Sequence, residues 1–172
     1  MTNINGTLAG CWFESRIFSS LMFDKSDEIR ILRNKRVFSY KLNRVTEIDL
    51  LVITPYGLYS IEAKAFKTLL QGNIGDTLWI GKTGKYKTRL YSPFIQNNEH
   101  IRSLKNMMRR NGVKPPPISN IICVPNTCKV VCNYSNVMNL NSLVYKIDMD
   151  SIIKKHIYDV ELIYNLLKDM EG

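Results

Sequence analysis

No stretch of the sequence stays apolar for the roughly 20 residues a helix needs to cross a bilayer, and no basic, then apolar, then small-residue leader opens it. A cytoplasmic protein with no membrane contact is the expectation. Cysteine is also sparse. Cys11, Cys123, Cys128 and Cys132 are the only four among 172 residues, and they form no paired Cys-x-x-Cys knuckles backed by a suitable histidine pair. They read as reduced structural thiols. Internal repeats and long linkers are missing too, so residues 1–172 read as one domain, long enough to bury a core without disulfide staples.

Positive charge, by contrast, is abundant. The net charge is +9, with Lys and Arg gathered at Arg33 to Lys41, Lys82 to Arg89 and Arg102 to Lys114 instead of in a tail. A polyanionic partner fits that distribution, although many basic domains bind no nucleic acid.

The chain is organised around Thr46 to Phe66. Two apolar runs flank Thr54-Pro55-Tyr56-Gly57, where Pro presets the second turn position and Gly suits the fourth, so a type I turn should close a hairpin. With Thr54 and Gly57 as the closing pair, Leu51 faces Ser60, Asp49 faces Glu62 and Glu47 faces Lys64. Period-two alternation then brings Asp49, Glu62 and Lys64 out on one face, at the end away from the turn. Ile48, Leu50, Val52, Tyr59 and Ile61 fall on the other face, so both sides of the hairpin should be covered.

Like charges on directly opposed strand positions repel, so something positive should stand between Asp49 and Glu62. Two readings fit. A divalent cation with oxygen ligands would relieve the repulsion, with Lys64 holding or deprotonating a water. Alternatively, Lys64 and other basic side chains neutralise the acids in a structural ladder.

Leu8 to Met22 reads as a helix with Gly10, Cys11, Ile17, Phe18, Leu21 and Met22 on one side and Glu14 near the middle of that stripe. An inward carboxylate needs a cation, donors or a metal-bound water. A Glu reaching from the helix edge to solvent is the plainer alternative. Ile29 to Phe38 fits a strand leading into the hairpin, with Arg33, Lys35 and Arg36 either on phosphates or on a solvated surface. Leu69 to Leu90, punctuated by Gly72, Gly75, Gly81 and Gly84 around Trp79, should form small strands and tight turns. There Lys82, Lys85, Lys87 and Arg89 interleave with Tyr86 and Tyr91. That composition suits a nucleic-acid contact loop or a solvated hairpin.

Ser92-Pro93 predicts an N-cap and first helical residue for a helix running to about Arg110. Phe94, Asn97, Ile101, Leu104 and Met108 form its expected buried stripe, leaving Gln96 and His100 on a flank. Gln96 could orient a water or phosphate or be a plain surface amide; His100 reads as a packing or surface residue, since nothing completes a metal spacing around it. Arg102, Lys105, Arg109 and Arg110 could present a basic flank. After Pro115-Pro116-Pro117, Ile118 to Val124 reads as a strand. An apolar stretch at Leu143 to Ile147 follows, and short helices are expected over 150–156 and 159–170, packed as a lid or flank.

Glu14 on a helix, Glu47-Ile48-Asp49 and Glu62-Ala63-Lys64 on the hairpin, Pro55-x-Gly57 in its turn, Trp79, and Ser92-Pro93-x-x-Gln96-Asn97 occur in an order more specific than any single piece. In these residues, over about Leu8 to Val124, the chain resembles the nuclease-related domain family of the PD-(D/E)xK nuclease-like superfamily. It departs from that pattern at Phe13, where Gly is usual, and at Ala65-Phe66, where a polar residue follows the Lys. The resemblance implies an α/β fold with a restriction-endonuclease-like core, a mixed central sheet flanked by helices. It also implies Mg²⁺ or Mn²⁺ held by Asp49, Glu62 and the Ala63 carbonyl, with Glu14 directly, through water or at a second ion. Lys64 would act on the water and Gln96 would assist. The implied reaction is phosphodiester hydrolysis leaving a 3′-hydroxyl and a 5′-phosphate, on DNA before RNA. Arg33, Lys35, Arg36, Lys82, Lys85, Lys87, Arg89 and Arg102 are then candidate nucleic-acid contacts. Cutting both strands of a duplex would suit a homodimer. The competing reading is a nucleic-acid-binding or assembly module that does not cut.

Overall fold

The computed structural model describes residues 4–23 and 28–170, with the backbone alone for 4–7. Helix α1 (Ile4–Met22) is followed by strands β1 (Arg30–Ser39), β2 (Arg44–Thr54), β3 (Gly57–Ala63), β4 (Leu69–Gln71), β5 (Leu78–Thr83) and β6 (Tyr86–Tyr91). Then come α2 (Pro93–Arg110), β7 (Ile118–Val124), β8 (Lys129–Val131), β9 (Val137–Asn139), α3 (Leu140–Ile153) and α4 (Val160–Asp169). The strands form a five-stranded sheet in the order β1-β2-β3-β7-β9 and a four-stranded sheet in the order β6-β5-β4-β8. Both are mixed: β7 runs parallel to β3 and β9, and β8 runs parallel to β4, while the other pairs are antiparallel. The α/β fold expected from the sequence is present, with a second sheet added.

The hairpin closes as its turn residues dictate. Thr54 pairs with Gly57, and the register continues through Leu51 opposite Ser60 to Leu50 opposite Ile61. Thr54 Oγ1 donates to the Gly57 carbonyl at 2.7 Å. Gly57 sits at φ +140°, and a Cβ there would stand 2.9 Å from the Pro117 carbonyl oxygen, so only glycine fits this close approach. That carbonyl accepts the Leu58 amide at 2.9 Å and starts the parallel pairing with β7.

Both faces of the large sheet are covered. On one, Leu50, Val52, Tyr59 and Ile61 pack with Phe13, Ile17 and Leu21 of α1 and Leu140, Leu143 and Ile147 of α3. On the other, Leu51, Ile53 and Leu58 pack with Leu104, Met107 and Met108 of α2 and Ile163 and Leu167 of α4. A third cluster of Leu70, Trp79, Ile122, Val124 and Val137 joins the two sheets.

Four expectations are corrected. Ile48 packs in the second cluster with Leu51, not beside Leu50. Strict alternation therefore fails across Asp49. The β1–β2 pairing steps from Arg33↔Leu50 to Lys35↔Ile48, and Asn34 lies between at φ +53°, a left-handed conformation that Asn tolerates and that disturbs a ladder locally. In α1 the buried stripe is Phe13, Ile17 and Leu21, while Cys11 is exposed, so the stripe is rotated and Glu14 lies half-buried at its margin. In α2, His100 is buried and Phe94 only half-buried. Finally, the penultimate helix runs from Leu140 to Ile153, with residues 154–159 outside either helix, because Asn139 caps it through the Ser142 amide at 3.0 Å.

All four cysteines are free thiols. Among the described residues no helix is long and apolar enough to cross a membrane.

Candidate active site

At the open end of the hairpin, beyond Leu50↔Ile61, the Asp49 carboxylate reaches across to β3. Its Oδ2 accepts the Ala63 amide at 2.8 Å. Asp49 is thereby fixed beside Glu62-Ala63-Lys64. The strand then leans on β7, where the Lys64 amide donates to the Cys123 carbonyl at 2.9 Å. Glu62 points toward α2 and is only 1% exposed.

Lys64 Nζ donates to Glu62 Oε1 at 2.5 Å and to Gln96 Oε1 at 3.4 Å. Gln96 is held there by the start of α2: Ser92 Oγ accepts the Ile95 amide at 3.4 Å and Pro93 occupies the first turn. The next residue, Asn97, locks that turn onto the sheet. Its Oδ1 accepts from Ser60 Oγ at 2.6 Å, and its Nδ2 donates to the Ser60 carbonyl at 2.8 Å, to Asn120 Oδ1 at 2.8 Å and to the Ile121 carbonyl at 3.2 Å.

The acids are coupled. Burial pushes the Glu62 carboxyl up to about 7; the Lys64 charge opposes the rise, and the negative charges of Asp49 and Glu14 add to it. Burial also raises Asp49, against the Ala63 hydrogen bond and Lys64. Glu14 is raised by burial first and by Asp49 next, while Arg33 and Lys64 pull it down. Residues 14, 49, 62 and 64, remote in sequence, therefore share one electrostatic neighbourhood.

His100, read from sequence as a packing or surface residue, belongs to this neighbourhood. It is 4% exposed, and its Nδ1 stands 3.6 Å from Glu62 Oε2. Neither atom has a hydrogen-bond partner among the described residues. Burial and the nearby Lys64 charge lower the His100 pKa to about 4, with Glu99 opposing, so the ring is neutral at physiological pH. The signal was its spacing: His100 follows Gln96 by four residues, which puts both on one helix face. Glu99 is buried as well, paired with Lys41 at 2.8 Å. Asp49, Glu47, Gln96, Glu99, His100 and Tyr91 line a cleft of about 760 Å³.

The candidate nucleic-acid contacts are spread over several surfaces. Arg33 is exposed on the α1 side, donating to Ser15 Oγ at 2.9 Å and stacking over Phe18. Lys35 turns the other way and donates to the Met170 carbonyl; Arg36 is exposed. Lys82, Lys87 and Arg89 lie on the four-stranded sheet, Lys85 lies over the Tyr86 ring, and Arg102 stands 3.6 Å from Glu99. Phe66, the apolar residue after the Glu-x-Lys segment, packs in the third cluster against Gly81.

Among the described residues no three of His, Cys, Asp and Glu are grouped closely enough to enclose a metal ion. The donor set suits a hard divalent cation by its chemistry: carboxylate oxygens that repel one another, with a buried Glu62 Oε2 that no hydrogen-bond donor satisfies among the described residues. A family model described as the nuclease-related domain matches residues 9–125. No curated protein matches the chain.

Proposed function

The chain belongs to the nuclease-related domain family, and from that premise we propose that it is a metal-dependent nuclease acting on DNA in preference to RNA. One observation carries the reading. The hairpin end holds Asp49 against the Ala63 amide and Glu62 against Lys64, with the charge of Glu14 raising Glu62 and that of Asp49 raising Glu14.

Asp49, Glu62 and the Ala63 carbonyl would hold Mg²⁺ or Mn²⁺, with Glu14 completing the shell directly, through water or at a second ion. When bound, the ion supplies charge to offset that of the phosphate and lowers the cost of ionising a water. Lys64, aimed between Glu62 and Gln96, orients the attacking water or takes its proton, and Gln96 holds that water or a phosphate oxygen.

A second reading, a nucleic-acid-binding module that does not cut, has one observation on its side. The Lys64–Glu62 contact of 2.5 Å neutralises the buried acid without an ion. The two readings separate when circular, linear and single-stranded DNA are incubated with Mg²⁺, with Mn²⁺ and with EDTA. Metal-dependent cutting that disappears in folded Asp49→Ala and Lys64→Ala variants supports the nuclease. Undiminished cutting by either pure variant rejects the site, and salt-sensitive binding without cleavage under any metal supports the module.

A further inference from the structure

The four-stranded sheet has an inner face buried against the body of the protein, formed by Leu70, Trp79, Leu90 and Val130. Directly opposed strand residues share a side of a sheet, so the register defines what lies on its outer face. One row across the strands is Lys87, Lys82, Leu69 and Lys129. The next is Arg89, Ile80, Gln71 and Val131, and beyond it Tyr91 stands opposite Leu78. The face therefore carries a cationic row, then a mixed row of Arg89, Ile80, Gln71 and Val131, then the apolar and aromatic pair Leu78 and Tyr91, on strands spaced about 4.8 Å apart.

Four features of this face point to an anionic polymer with apolar sides. Lys82 and Lys87 are set directly opposite each other, an arrangement that costs stability unless an anion offsets it. Among the described residues, none of Lys82, Lys87, Arg89 and Lys129 is held in an ion pair. From Leu69 to Tyr91 the sequence has one acid, Asp76, and its Oδ2 already accepts the Asn73 amide. Beside the cations, Leu78, Tyr91 and Val131 are 57%, 47% and 42% exposed. A duplex presents phosphates and sugars at its periphery and would leave those apolar side chains uncovered. A single strand also offers base faces, which stack on aromatic and apolar side chains. Tyr91, at the edge of this face, also lines the cleft that contains Asp49, Gln96 and His100.

We propose that the outer face of the four-stranded sheet binds one strand of nucleic acid, with phosphates along Lys87, Lys82 and Lys129 and bases against Leu78, Val131 and Tyr91, and delivers it to the cleft. Only the strand's destination rests on the nuclease reading; the binding face stands on its own residues.

The test uses the full chain in EDTA, with a labelled single-stranded oligonucleotide and the duplex of the same length, read by fluorescence anisotropy over a range of salt. Lys82→Gln, Lys87→Gln and Lys129→Gln together should weaken single-strand binding roughly tenfold or more and reduce the slope of log K against log salt by about 2. Leu78→Ser should weaken it about fivefold while leaving that slope unchanged. Lys155→Gln with Lys168→Gln, on other surfaces, serves as the charge control. The proposal is overturned if the triple variant binds like the wild type, if duplex binds more tightly than single strand, or if anionic lipid vesicles are bound and the oligonucleotide is not. Strand binding through this face without cleavage in Mg²⁺ or Mn²⁺ would leave the face standing and reject the nuclease. Cleavage with an unaltered KM in the triple variant would do the reverse.

Discussion

His100 Nδ1 and Glu62 Oε2 face each other across 3.6 Å in a buried space, and neither has a hydrogen-bond partner among the described residues. A buried unsatisfied polar atom costs about 1–3 kcal/mol, so leaving two of them facing each other is a costly arrangement. A small approach would let the ring N–H donate to the carboxylate and fix its orientation toward an ion, as residues behind metal ligands commonly do.

From this contact we expect His100→Ala to raise the Mn²⁺ concentration giving half-maximal cutting by on the order of tenfold, with KM for the oligonucleotide little changed. His100→Gln, which keeps a donor, should recover most of the loss. An unaltered metal requirement in a folded His100→Ala protein would remove this role.

The same pair predicts opposed pH effects on the stability of the metal-free protein. Glu62, raised from 4.5 to about 7 in the folded state, binds more protons there than when unfolded, so its contribution falls as pH rises through 4.5–7. His100, lowered from 6.5 to about 4, binds fewer, so its contribution falls as pH drops through 6.5–4. Relative to the wild type, Glu62→Gln should therefore gain stability toward pH 7 and His100→Gln toward pH 4, each by on the order of 2 kcal/mol. Urea denaturation in EDTA across that range measures both slopes; parallel curves for all three proteins would contradict the assignment.

Gly81→Ala should cost about 1–3 kcal/mol, because its Cβ would fall 2.3 Å from the Phe66 ring. Phe66 bonds back to the Lys64 carbonyl through its amide at 2.9 Å, so cutting should weaken as well. Adding Phe66→Leu should restore part of the lost stability, and a double-mutant cycle by thermal denaturation would reveal whether the two positions interact.

Asn97→Ala should destabilise by about 3 kcal/mol, since it strands Ser60 and Asn120 in a dry setting. Gln96 and Lys64 would lose their alignment with it. Loss of kcat exceeding the loss of folded protein, measured at a temperature where the variant is fully folded, is the expected signature.

Local chemistry made much of this legible. Pro55 and Gly57 set the hairpin register, Ser92-Pro93 set the start of the second long helix, and the glycines around Trp79 marked the short strands. Three other features depend on partners remote in sequence. The break in alternation at Asp49 arises in the neighbouring strand at Asn34. The burial of His100 follows from how flush α2 lies on β3, which Asn97 enforces. The pairing of β8 with β4 joins segments separated by two strands of their own sheet, a helix and a strand of the other sheet.

The hairpin turn is clasped from the far end of the chain. The Pro55 carbonyl accepts the Ile157 and Tyr158 amides, Tyr56 Oη donates to the Ile147 carbonyl, and Tyr59 Oη donates to Asp150 at 2.5 Å. Those partners lie past residue 125, where the family match stops. A fragment trimmed to the matched region would bare the oily flanks that α3 and α4 shelter and would leave the loop at Pro55 untethered. Shortened versions made for assay should clump in solution, and silence from such a fragment would say nothing about the chemistry of the intact molecule.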